Sequence, residues 1–280
     1  MSLFAWVAIV PYVNTSSFHT HTRLCKHASG EPAEYVLQAT KDGCSALGFS
    51  DHCPYPDDAT WPGSRMSVRD VSLYREQVLS LRQDAPFPIY FGFECEWFPL
   101  YESWYRDFIR GECGAEYVVY GSHWVRDAGE FWYIPEAAEK RLLGSYLDLT
   151  LQALETGLYD LFAHPDIFLA GYTRMDSDIQ NACQQIIASA IHHDIPMEIN
   201  GLGLKKPFVY GDSGLRPPYP VREFWEMAAD MGAKIVCSSD AHRSEDVIAG
   251  ARFAKAQADE WGIQTMDPYE VLGLPSVLYP

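Results

Sequence analysis

The chain has 280 residues, 48% of them hydrophobic and 14% aromatic, with 38 acidic against 21 basic side chains and a net charge of −17. That charge repels nucleic-acid polymers and anionic membrane surfaces, and the apolar content suffices for a single domain over 1–280. Seven cysteines lie scattered with no CxxC, which excludes a disulfide framework or zinc ribbon and points to a reducing, cytoplasmic compartment.

The apolar run FAWVAIVPYV (4–13) is too short to span a bilayer, has no Lys or Arg ahead of it, and is interrupted by Pro11. It reads as a buried strand or packed arm, not a signal peptide. FHTHTRLCKH (18–27) then holds His19, His21 and His27, three of the nine histidines. In extended chain, residues i and i+2 point the same way, so His19 and His21 can share one metal ion. A helix is predicted over 31–42, closed by Gly43, and a strand over 46–50 that ends in Asp51-His52. A helix over 67–83 leads to the strand PIYFGF (88–93), followed by Glu94 and Glu96. Strand 116–122 precedes His123, helix 136–156 stops at Gly157, and strand 159–163 precedes His164-Pro165. Helix 177–192 leads to strand 196–199 and Asn200, and residues 201–220 form a functional loop rich in Gly and Pro. Helix 222–231 stops at Gly232, and strand 233–239 ends in Asp240-Ala241-His242.

Such alternation implies parallel strands joined by helical crossovers. Neither GxGxxG nor GxxxxGK[ST] follows the first strand, so a nucleotide-binding doubly wound sheet lacks its best signal, whereas polar residues close every strand. In a parallel barrel all strand C-termini open on one face, and there His19, His21, His52, Glu94, His123, His164, Asp240 and His242 would meet, with His27 in the first loop. Neutral imidazoles mixed with carboxylates suit Zn²⁺, Mn²⁺ or Fe²⁺. Of the four cysteines beside ligand motifs, alternation turns Cys53, Cys95 and Cys237 away from the metals as buried thiols, with Cys25 the exception, and Glu96 reads as a residue that orients a ligand.

The series HTHT-x5-H, SDH, GFE, GSH, AHPD, EIN and SDAH resembles the polymerase and histidinol phosphatase (PHP) family across about residues 15–250. That resemblance implies a distorted (β/α)₇, TIM-like barrel with a trinuclear metal centre at the C-terminal face of its strands. It assigns His19, His21, Glu94 and Asp240 to one metal, with Glu94 bridging to a second held by His123 and His164. His27, His52 and His242 would hold the third. Asp240, His242 and Glu94 are the residues expected to carry catalysis.

Three divalent cations (Zn, Mn or Fe) would make a positive pocket inside a negative protein, suited to a small phosphate dianion and able to generate hydroxide at neutral pH. Hydrolysis of a phosphate monoester follows. SRMS (64–67), YVVYGSHW and LYDLFAHPDIF resemble the histidinol phosphate phosphatase branch, which implies L-histidinol phosphate as substrate. A nucleotide or other small phosphomonoester, or the chemistry of a binuclear amidohydrolase, are the alternatives. Arg65, Arg174, Lys205 and Asn200 are the candidate substrate-binding residues. Trp97, Trp124 and Trp132 would either wall the organic half of the substrate or pack in the core and rim. No stretch of sequence specifies an oligomeric state.

Overall fold

The computed structural model describes residues 15–275 apart from 58–59, 62, 138–139 and 213; the apolar run at 4–13 lies outside the described residues. In chain order the strands are β1 (Thr15–Ser17), β2 (Cys44–His52), β3 (Ile89–Cys95), β4 (Tyr117–Gly121), β5 (Trp124–Asp127), β6 (Glu130–Tyr133), β7 (Leu161–Ala163), β8 (Met197–Asn200), β9 (Val209–Gly211), β10 (Gly214–Arg216) and β11 (Ile235–Ser238). The α-helices are α1 (Pro32–Lys41), α2 (Val71–Ser80), α3 (Lys140–Glu155), α4 (Ser177–His192), α5 (Arg222–Asp230), α6 (Ala249–Glu260) and α7 (Pro268–Leu272).

Seven strands make one sheet in the order β1-β2-β3-β4-β7-β8-β11, and every adjacent pair is parallel. The sheet curls until its ends meet. Past β1 and β11 the chains exchange hydrogen bonds, His21 N to Ala241 O at 2.9 Å and Ala241 N to His19 O at 3.3 Å, while the Ser17 and Ser239 hydroxyls lie 2.8 Å apart. The expected seven-stranded barrel is therefore present, closed through the two segments richest in ligands.

Strand faces divide the apolar residues into two cores. Facing the helices are residues such as Phe49, Phe91, Phe93, Val118, Phe162 and Ile199; a smaller set, Phe18, Ala46, Tyr90, Tyr117, Val119, Leu161, Ala163 and Val236, packs as a separate cluster within the ring of strands. Two glycines make room for its rings, since a Cβ on Gly48 would lie 2.3 Å from the Tyr117 hydroxyl and one on Gly92 would lie 2.6 Å from the Tyr117 ring. Helix α7 caps this cluster with Tyr269, Val271 and Leu272, the Tyr269 ring stacking on Phe18 at 6.3 Å.

The outer helices follow from local sequence. Asp176 caps α4 by accepting from the Asp178 and Ile179 amides, and its buried stripe of Ile179, Ala182, Cys183, Ile186, Ile187 and Ala190 repeats at helical spacing. Of the helix expected over 136–156, Lys140–Glu155 is described as helix, and Ile134–Glu136 forms a separate short turn. The loop expected over 201–220 contains the β9–β10 hairpin. The β5–β6 hairpin, the wide-turned helix Trp104–Glu112, α6 and α7 were not expected from the sequence.

Candidate metal centre

Glu94, at the end of β3, lies between two sets of imidazoles. Its Oε1 is 3.2 Å from His164 Nε2, 3.5 Å from His19 Nε2 and 3.8 Å from His123 Nε2. Its Oε2 is 2.9 Å from His52 Nδ1 and 3.6 Å from His21 Nε2. Asp240 Oδ1 joins the two sets, 3.2 Å from His21 Nε2, 3.4 Å from His242 Nδ1 and 3.6 Å from His19 Nε2. The ring of His27 lies 4.8 Å from His242 and 5.2 Å from His52. All nine predicted ligands thus meet at one mouth, His19, His21, Glu94, His164 and Asp240 buried and His27 exposed.

Grouping differs from the expectation at His123, which falls outside the trios and yields its place beside Glu94 and His164 to His19, and at His27. His19, His21 and Asp240 form one trio able to hold a cation, and His19, Glu94 and His164 another. The third trio is His21, His52 and His242, with His27 grouped instead beside Cys25 and His242. Backbone geometry marks the same place, because His164 (φ 32°) and Asp240 (φ 50°) both occupy the left-handed region that costs a non-glycine residue about 1–3 kcal/mol.

The donor chemistry fits divalent cations. His19 Nε2, His21 Nε2, Glu94 Oε2 and Asp240 Oδ1 are buried and have no hydrogen-bond partner. Two imidazole nitrogens and two carboxylate oxygens, desolvated and unspent, are the donor set that Zn, Mn or Fe accepts, and leaving them without a cation or proton would be costly.

An outer layer aims these donors. His19 Nδ1 donates to Glu198 at 2.9 Å, which turns Nε2 toward the centre. Glu96 accepts from His123 Nδ1 at 2.9 Å and from the His123 and Trp124 amides, the orienting role expected of it. His27 and His242 spend Nδ1 on the carbonyls of Cys25 and Asp240. Asp51 lies 3.5 Å from His21 Nδ1 and accepts from Thr22 and the His52 amide. Burial opposes charge on His21, yet Asp240 and Asp51 hold its pKa up to about 9. Burial, aided by the nearby His21, pushes His242 down to about 3. Although burial works the other way, His19, His52 and His123 keep the Glu94 carboxyl well below the usual range.

The four candidate substrate residues scatter. Asn200 is fully buried and spends its amide on Glu198 (2.5 Å), Asp240 (3.0 Å) and the Gly203 amide, so it braces ligands. Lys205 is exposed and paired with Asp246. Arg174 is exposed in a surface cleft beside Asp212 and Arg216. Arg65 is buried next to the centre, bonded to the carbonyl of Cys53. Trp97 is buried against Tyr105, Trp124 stacks on Trp61, and Trp132 lies under Arg141. Sequence reasoning missed Glu198 and Asp51, although EIN places Glu198 and Asn200 on one strand face and SDH sets Asp51 beside a ligand. It also missed Tyr219, whose ring lies 5.8 Å from His164 on a segment pinned by Asp166 through the Val221 amide at 2.6 Å.

A seven-stranded parallel barrel with imidazoles and carboxylates gathered at its mouth is the architecture of a barrel protein that binds divalent metals. A model of the PHP domain matches residues 17–201, and the chain belongs to that family. Asp240 and His242 lie beyond the matched span, and barrel closure returns them to it. A probable histidinol-phosphatase of Deinococcus radiodurans is 30% identical over 249 residues, covering 85% of this chain and 89% of that protein. The same fold occurs in a putative histidinol phosphatase from Listeria monocytogenes (TM-score 0.70, 21% identity, 83% of this chain and 97% of that one). It occurs also in a histidinol phosphate phosphatase from Lactococcus lactis complexed with zinc, L-histidinol and phosphate (TM-score 0.66, 15% identity, 90% and 95%).

Proposed function

We propose that this chain is a metal-dependent phosphomonoesterase, built as one domain, that hydrolyses L-histidinol phosphate to L-histidinol and phosphate. The observation that carries the reading is Glu94, whose two carboxylate oxygens face His19, His123 and His164 on one side and His21 and His52 on the other. A carboxylate so placed could serve two neighbouring cations, and with Asp240 and His242 it would support three. The 30% identical relative supports the substrate.

When bound, Zn, Mn or Fe ions supply positive charge for the phosphate and acidify a water to serve as nucleophile. The protein's part is positioning. Glu198 and Glu96 fix the rings of His19 and His123, and Asn200 ties Glu198 to Asp240 so that the two carboxylates move together. With cations bound, only Glu94 and Asp240 among the nine candidate ligands would offset their charge, so the mouth would present positive charge to a small dianion. Tyr219, whose ring lies 5.8 Å from His164, and the Trp124–Tyr133 pair are the candidates to pack against the organic half of a substrate. Seven free cysteines suit a reducing cytoplasm, and no helix among the described residues is long and apolar enough to cross a membrane.

The test is a panel of phosphate monoesters, run beside cyclic amides and lactones on the Zn-, Mn- and Fe-loaded protein. L-Histidinol phosphate is expected to show the highest kcat/KM. Turnover of the amides or lactones alone, or a mononucleotide leading the panel, would overturn the assignment.

A further inference from the structure

A cavity of about 150 Å³ is lined by three basic residues, Lys26, Arg65 and Arg69, the first of them next to His27 in the chain. Asp57 is the one acid among its described lining residues. The cavity adjoins the centre through the chain itself, for Lys26 precedes His27, and Arg65 Nη1 donates at 3.1 Å to the carbonyl of Cys53, which follows His52.

Arg65 is the telling residue. Only 4% exposed, it lies with its guanidinium over the rings of Trp61 (4.7 Å) and Tyr55 (5.0 Å). That single carbonyl is its one hydrogen-bond partner among the described residues, and its Nε is buried with no acceptor. A guanidinium taken out of water without a carboxylate is costly, and aromatic faces return only part of the cost. The group that completes a planar fork with an unused N–H edge is an oxyanion, taken by two oxygens at once.

We propose that the Arg65 cavity is a phosphate-group site contiguous with the metal centre. The phosphate has two possible sources under the phosphatase reading, on which this inference rests for its supply. One phosphate can span cations and arginine together, or released orthophosphate can lodge beside the centre before leaving.

Calorimetric titration of the metal-loaded full chain with orthophosphate, wild type beside Arg65→Met, separates these. Two phosphates per chain, of which Arg65→Met loses one and keeps the other's affinity, identify a separate lodging site. One phosphate per chain, bound roughly ten- to a hundredfold more weakly by Arg65→Met, identifies a shared one. Unchanged stoichiometry and affinity in a variant with wild-type metal content and unfolding temperature would leave Arg65 a structural wedge and overturn the proposal. Should Arg65→Met not fold, Arg65→Lys decides, since it keeps the charge and stem but not the fork; weaker orthophosphate binding supports the site and wild-type binding refutes it. Because binding is read directly, a protein inactive on phosphomonoesters that still loses orthophosphate on Arg65→Met would defeat the proposed function and leave the site standing.

Discussion

Glu198 touches no predicted cation position, yet it decides which nitrogen His19 presents to the centre. Its replacement by glutamine keeps the shape and removes the charge-assisted acceptor. Metal affinity should fall about 10–100-fold with little change in unfolding temperature, as competition against a chelating dye would show, and unaltered affinity would deny Glu198 a positioning role. Gly121 is constrained by space, because a Cβ there would stand 2.1 Å from Glu94 Oε1. Gly121→Ala should therefore displace the bridging carboxylate and abolish both turnover and full metal content. Gly144→Ala, with nothing within 4 Å of its Cβ inside α3, should be neutral or stabilising by up to about 1 kcal/mol. Comparable metal loss in both variants would contradict the steric account. His52, Glu94, His123, His164, Asp240 and His242 were legible because they follow apolar runs, and His19 and His21 by their i, i+2 spacing. Glu198 was not, since a lone acid within a buried strand carries no signature of the histidine it serves.

The elements divide in the same way. Six of the seven barrel strands were foreseen within about two residues, as buried strands flanked by helices read as short apolar runs. Helix α6 escaped because its buried face is Ala251, Ala254 and Ala258, small residues that pack closely without a strong hydrophobic signal. The β5–β6 hairpin escaped because its turn uses Ala128 (φ 50°) before Gly129 (φ 90°), and alanine seldom marks a left-handed position. Helix α7 is held by Asp267, which caps it through the Tyr269 amide and accepts from Ser16 Oγ at 2.6 Å. Asp267→Ala should cost about 1 kcal/mol and lower Tm by about 2–4 °C while leaving kcat at 25 °C unchanged. A fall in kcat without a fall in Tm would mean that α7 communicates with the mouth.

Across the whole molecule, protons and cations compete for one set of donors. With His21 at about 9 and His242 at about 3, the first is protonated near pH 7 and the second is not. Metal uptake at pH 7 must therefore expel the proton on His21, and affinity should rise as pH climbs from 7 toward 9. The linked stability has the opposite sign in chelated protein. His21's raised pKa stabilises the fold fully below its unfolded value near 6.5 and ceases to do so as pH passes about 9. Calorimetry in buffers of different ionisation enthalpy would detect the released proton, and buffer-independent heats would contradict the scheme.

One end of the barrel is stoppered. Phe18, Tyr90 and Tyr117 fill its throat and Tyr269 lies beneath them, so the described residues close it toward the far side. Traffic is confined to a single doorway, and each departing molecule must vacate it before the next can enter. Were the chemistry fast, turnover in such a cul-de-sac would be set by clearing the threshold.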